Sequence, residues 1–212
     1  MTVRPESPRR CALPVDRLTE VARAGTLLEA GHFSLRPVRL EEDLSTVHRW
    51  MNDPVVARFW EMPHPPDRIA GHLRQQLASA HSLPFLGLLD GEPMSYWELY
   101  RADLDFLAEH YQPRPFDLGV HLLLGPSRFR GRGLGAAMLR TVAEWQLAVE
   151  PRAERVLAEP DVTNHRSVRA FERAGFVRVE ELRLPDKRAY LMELPRRSGD
   201  GRAGQEPVET GG

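Results

Sequence analysis

Ser127-Arg128-Phe129-Arg130-Gly131-Arg132-Gly133-Leu134-Gly135 decides the reading of this chain. The apolar residues 118–124 precede it, and Leu134, Met138, Val142, Trp145 and Val149 follow at intervals of three or four, the period of a helix with one buried face. A strand, a glycine-rich turn and a helix N-terminus in that order form an anion site. Glycines let a phosphate approach the backbone, the first helical turn leaves N–H groups without partners, and the helix dipole adds partial positive charge. Arg128, Arg130 and Arg132 add full charges. The stretch lacks Gly-x-x-x-x-Gly-Lys-Ser/Thr, which excludes a P-loop, and it lacks the early glycine pair of a dinucleotide fingerprint. A dock for a phosphate-bearing ligand is expected here; the alternative is a Gly/Arg-rich surface turn.

Composition bounds the rest. A chain of 212 residues, 42% hydrophobic and 28% charged, has room for one large core. Its formal net charge of −1 gives no bulk attraction to nucleic acid. Cys11 is the single cysteine, so no intrachain disulfide and no thiolate metal site forms. The polar, proline-interrupted N-terminus lacks the apolar stretch of a signal peptide, and no run reaches membrane-spanning length. A cytoplasmic protein with no nucleic-acid and no membrane partner is expected, as a monomer or homodimer.

Along the chain, residues 1–31 read as an N-terminal extension, flexible in part, with a weak helical pattern over 15–29. A strand at 32–39 and helices at 41–51, 55–59 and 67–80 follow. Asp90-Gly91 between apolar runs marks a hairpin, and 103–111 reads as a helical insertion before the strand at 117–125. After the main helix come a strand at 155–159, a helix capped by Asn164 and ended by Gly175, and a terminal hairpin over 177–194. The domain is expected over 32–195, and the Gly-, Arg- and Glu-rich tail at 196–212 carries no core pattern.

Arg130-x-x-Gly133-x-Gly135 resembles the Arg/Gln-x-x-Gly-x-Gly/Ala signature of the GNAT superfamily of acyl-CoA-dependent N-acyltransferases. The element order is similar to that fold as well: a single mixed α/β sheet, mostly antiparallel, with splayed central strands flanked by helices. Leu35-Arg36-Pro37 and Asn164…Phe171-Glu172-Arg173-x-Gly175-Phe176 resemble its opening and closing segments. Trp60-Glu61, Tyr96-Trp97-Glu98-Leu99-Tyr100, Tyr111 with Phe116 through His121, and Pro160-Asp161 resemble a siderophore branch. That branch includes N6-hydroxylysine acetyltransferases and the lysine N-acyltransferase of mycobactin synthesis. The resemblance implies acetyl-CoA or a longer acyl-CoA as donor, or a carrier-protein thioester, and a small-molecule amine acceptor. The histidines other than His121 show no metal-ligand spacing with carboxylates, so no metal is expected. The resemblance also implies catalytic roles for His121 and Asp161, and places Arg128, Arg130, Gly131, Arg132, Gly133, Leu134, Gly135 and Asn164 on the donor. An aminoglycoside 6′-N-acetyltransferase or a non-catalytic acyl-CoA-binding module are the rival expectations.

The residue chemistry fits acyl transfer. A thioester is already activated, so positioning, a free nitrogen lone pair and charge stabilisation remain to be supplied. His121 titrates in the range of a general base; the alternative is a sheet histidine bonded to a carbonyl. Asp161, at a strand end, suits an acceptor ammonium or an orienting contact to His121; the alternative is a turn aspartate. Trp60, Glu61, Trp97 and Glu98 offer aromatic walls and carboxylates to an amine, or else packing and surface charge. Phe171 stands where many members of the superfamily have a tyrosine that protonates the departing thiolate, and it has no hydroxyl to do so.

Overall fold

The computed structural model describes residues 13–60 and 62–197. Eight strands form one sheet: β1 (Thr26–Leu28), β2 (Gly31–Pro37), β3 (Ser82–Leu89), β4 (Glu92–Arg101), β5 (Leu118–Leu124), β6 (Arg155–Ala158), β7 (Val177–Arg183) and β8 (Arg188–Pro195), in the spatial order β1-β2-β3-β4-β5-β6-β8-β7. Every neighbouring pair is antiparallel except β5 with β6. Alternation along each strand sends side chains to two faces. Trp97, Leu99 and Val120 enter a core closed by α1 (Val15–Ala24), α5 (Leu134–Val149) and α6 (His165–Ala174). Tyr96 and Leu123 face the other way, against α2 (Leu40–Met51) and α4 (Pro66–Leu77). A seven-residue helix, α3 (Pro54–Trp60), lies between α2 and α4 in sequence.

The mixed, mostly antiparallel α/β sheet matches the expectation, and several boundaries differ. Residues 13–31, read as an extension, place α1 on the core and add β1 to the sheet edge; three residues of strand give no periodic signal. The expected helix at 103–111 is instead two 3-10 turns, Ala102–Leu104 and Phe106–Glu109. Asp105 there caps locally, its carboxylate accepting from Leu107 N. Arg196, read as the start of the tail, donates to the carbonyls of Leu147 in the last turn of α5 and of Glu150 and Ala153 just beyond it. Cys11 and the tail beyond residue 197 lie outside the described residues.

One irregularity creates the site. β5 bonds to β4 along its whole length, but to β6 only at Leu118↔Val156 and Gly119↔Leu157. The closed end is clamped: Arg155 donates to both oxygens of the buried Asp117 at 2.8 and 2.9 Å and to Glu193 at 2.8 Å. Tyr111 donates to the same aspartate at 2.9 Å. At the other end β6 stops at Ala158, and Pro160, without an N–H, cannot continue a ladder. The strands part, and the edge of β5 from Val120 onward is left without a strand partner on that side.

Candidate active site

At the parting of the strands, His121 on β5 and Glu159 just past β6 face one another two residues beyond the last paired positions. His121 Nε2 lies 2.6 Å from Glu159, and its Nδ1 lies 2.9 Å from Glu98, its antiparallel neighbour on β4. Ionised carboxylates only accept, so both ring nitrogens must donate and the ring is an imidazolium. Desolvation opposes that charge, but Glu159 and Glu98 outweigh it and push His121 up to about 10. Against its own burial, Glu159 is held at about 2 by His121, with Lys187 and Tyr100 adding to the effect. Glu98 falls well below the ordinary carboxylate range, as His121 and His72 outweigh desolvation. A third of the His121 side chain is exposed to the cleft.

The surrounding groups fix this triad. Tyr96 donates to Glu98 at 2.9 Å, and His72 of α4 reaches the same oxygen at 3.0 Å. Tyr100 donates to Glu159 at 3.0 Å, with its ring lying over Gly119; a Cβ there would sit 2.2 Å from the ring. Burial and the adjoining carboxylates raise both phenols, so they stay protonated donors. Trp60 meets His121 and Tyr96 edge-on, at 6.2 and 5.7 Å between ring centres, and walls the cleft.

The glycine-rich turn opens onto the same cleft. Gly131 and Gly133 have φ of +74° and +80°, and nothing lies within 4 Å of a Cβ built on either. The N–H groups of residues 131, 132 and 133 meet no acceptor among the described residues. Gly133 is the N-cap of α5, a helix of 16 residues, so its dipole points at these amides. Gly135 faces Leu122, Leu124 and Ala170 at ordinary contact distance, keeping the floor of the cleft low, and Leu134 packs on the core.

The side chains of the expected arginines behave differently from their backbone. Arg130 donates to Asp53 at 2.5 Å and to the carbonyls of Leu124 and Gly125, so its charge anchors the turn. Arg128 pairs with Glu92 and stacks on Phe129. Arg132 is exposed and forms no salt bridge among the described residues. Asn164 caps α6, accepting from Ser167 N at 3.2 Å, and lines the cleft.

Two of the expected contacts, Trp97 and Asp161, take other positions. Trp97 is fully buried on the opposite face, its indole N–H donating to Ser95, because its parity differs from that of Tyr96 and Glu98. Asp161 borders the cleft, but its carboxylate is spent on Thr163, at 2.6 Å from the amide and 2.5 Å from the hydroxyl; no hydrogen bond joins it to His121. Glu159, the last residue of the strand expected at 155–159, is the carboxylate that meets His121. Its only signal in the sequence is an acid at a strand end, where ligands of α/β sheets often bind; the parallel pairing that aims it at His121 comes from the fold. Glu61 lies outside the described residues. Phe171 lines the cleft with its ring against Phe176.

A sheet opened between two parallel strands, with bare amides at a helix N-terminus on one side of the gap, defines an α/β acyl-transfer fold. The GNAT acetyltransferase domain model matches residues 39–184. The lysine N-acyltransferase MbtK of Mycobacterium sp. (strain MCS) is 32% identical over 198 residues, covering 93% of this chain and 81% of the relative. The N(6)-hydroxylysine O-acetyltransferase of Escherichia coli is 38% identical over 154 residues, covering 73% of this chain and 49% of that protein. The aminoglycoside acetyltransferase AAC(6′)-Ib, solved with coenzyme A, superposes with a TM-score of 0.71 at 26% identity, covering 77% of this chain and 95% of that one. The chain belongs to the GNAT acetyltransferase family and is an N-acyltransferase.

Proposed function

We propose that the enzyme transfers an acyl group from acyl-coenzyme A to the side-chain nitrogen of a lysine-type acceptor, N6-hydroxylysine or a related hydroxylamine or amine, for hydroxamate siderophores. The observation that carries this reading is the His121–Glu159 pair facing across the gap between β5 and β6, on the cleft that the bare amides at 131–133 share. Those amides and the α5 dipole fit the diphosphate of the donor, because both glycines leave the space a phosphate needs. The open edge of β5 offers main-chain groups to an extended chain carrying the thioester.

The ionisation of the triad favours a hydroxylated acceptor. A lysine amine, with a reference pKa of about 10.4, arrives as a cation and must shed a proton before it attacks. A hydroxylamine is far less basic and arrives with its lone pair free. An imidazolium cannot take a proton, so the Glu159 carboxylate receives the one that the nitrogen sheds as the C–N bond forms. His121, already charged, supplies a proton to the sulfur as the C–S bond breaks, and Glu159 then restores the proton to His121. This route answers the absence of a hydroxyl on Phe171. Trp60 walls the acceptor, while Glu98 holds the imidazolium in place.

Thiol release from acetyl-CoA, measured with N6-hydroxylysine, lysine and kanamycin, tests the assignment. The expected order of kcat/KM places N6-hydroxylysine first. A preference for kanamycin would make the protein an aminoglycoside enzyme, and binding without thiol release with any acceptor would make it an acyl-CoA-binding module.

A further inference from the structure

Lys187 is the single lysine among 29 Lys and Arg residues, and its amine is in the catalytic cleft. It sits in the turn between β7 and β8, where Leu184 N donates to the Lys187 carbonyl at 2.9 Å. Its side chain is 23% exposed, and Nζ lies 3.6 Å from the same Glu159 oxygen that is 2.6 Å from His121 Nε2. The hairpin cannot swing freely away. Val162 N donates to the Arg188 carbonyl and Tyr190 N to the Pro160 carbonyl, both at 3.0 Å, and Asp161 pairs with Ala189. These bonds lash the lysine's strand to the segment that begins with Glu159.

A primary amine beside the carboxylate that deprotonates the acceptor has the functional group of the acceptor itself. An arginine there would be inert, because its lone pairs are delocalised over the guanidinium. We propose that Lys187 is an internal acyl acceptor: with acyl-CoA bound and the cleft empty of acceptor, the enzyme acylates Lys187 Nζ. This rests on the acyl-transfer reading of the site and adds a modification site to it. In the step, the thioester C–S bond breaks and an amide C–N bond forms. The Lys187 ammonium gives up two protons: one leaves with coenzyme A as its thiol, and the other passes through Glu159 to solvent. Acylation removes the positive charge facing Glu159, and a small-molecule acceptor competes with it for the same carboxylate.

The test incubates the full chain with acetyl-CoA alone and locates the added acetyl group by peptide mass mapping. The expected result is one acetyl group on Lys187, at a first-order rate independent of protein concentration and suppressed by N6-hydroxylysine. Lys187→Arg removes the label, and His121→Gln, checked for native circular dichroism, slows it by about a hundredfold, the usual scale for losing a proton-transfer group. A chain that turns over N6-hydroxylysine yet leaves Lys187 unmodified in acetyl-CoA alone would overturn the inference and leave the proposed function standing. Labelling equally fast in the heat-unfolded chain would also overturn it, as simple chemical acylation. The absence of both turnover and labelling would overturn the acyl-transfer reading itself.

Discussion

At the scale of single residues, His121 has carboxylate oxygens at both ring nitrogens, and this fixes the pH behaviour of the site. Its proton affinity is pushed up to about 10 while that of Glu159 is held at about 2. The imidazolium–carboxylate form therefore spans the interval between them. The kcat for N6-hydroxylysine is expected to be level through neutrality and to fall as pH rises toward 10. A single limb centred near 6.5, with activity rising above it, would show that the neutral ring is the working form. Stability carries the same signs. The His121 contribution is complete below its ordinary 6.5 and is lost as pH rises through about 10; that of Glu159 is complete above its ordinary 4.5 and is lost as pH falls through about 2. Gly133→Val gives a second prediction. A β-branched residue at φ +80° is strained, and its side chain fills the space assigned to the diphosphate. The acyl-CoA KM should rise at least about tenfold, the factor equivalent to about 1.4 kcal/mol; an unchanged KM in steady-state assays would contradict the donor site.

At the scale of elements, the site exists because β5 and β6 are held together at one end and released at the other. The buried Arg155–Asp117 pair is the closing clamp. Arg155→Leu strands Asp117 without its charge partner and should cost about 3–5 kcal/mol, the usual penalty for breaking a buried pair. Urea denaturation reads this directly, and an unchanged midpoint would show that the clamp does not hold the strands. The elements themselves were largely legible. The Asp90-Gly91 turn, with φ of +50° and +82°, joins β3 to β4, and Gly175 in the left-handed region ends α6. What escaped was non-local. Nothing in a four-residue β6 reveals that it runs parallel to β5, and without that pairing Glu159 is an ordinary strand-end acid. Likewise Trp97 and Glu98 read together as an acceptor wall, and only strand parity separates a core indole from a catalytic-cleft carboxylate.

At the scale of the molecule, the glycine-rich stretch and the GNAT order of elements were readable because each rests on local chemistry: a turn, a helix start, a capped end. The arginines around it showed the limit of that reading. Arg130 is recognisable in the sequence, yet its guanidinium serves Asp53, 77 residues away, and the amides it helps to present meet no acceptor among the described residues. Of the two acids after β6, Glu159 and not Asp161 meets His121 for the same reason, since the fold decides which of two neighbouring acids turns into the gap. The most direct test of the account is therefore Glu159→Gln, which keeps the shape and removes the charge. With acetyl-CoA and N6-hydroxylysine, kcat should fall by about two orders of magnitude, the scale of a lost proton acceptor, with the acetyl-CoA KM unchanged. A variant that turns over N6-hydroxylysine at the parental kcat would contradict the claim that acyl transfer runs through the His121–Glu159 pair.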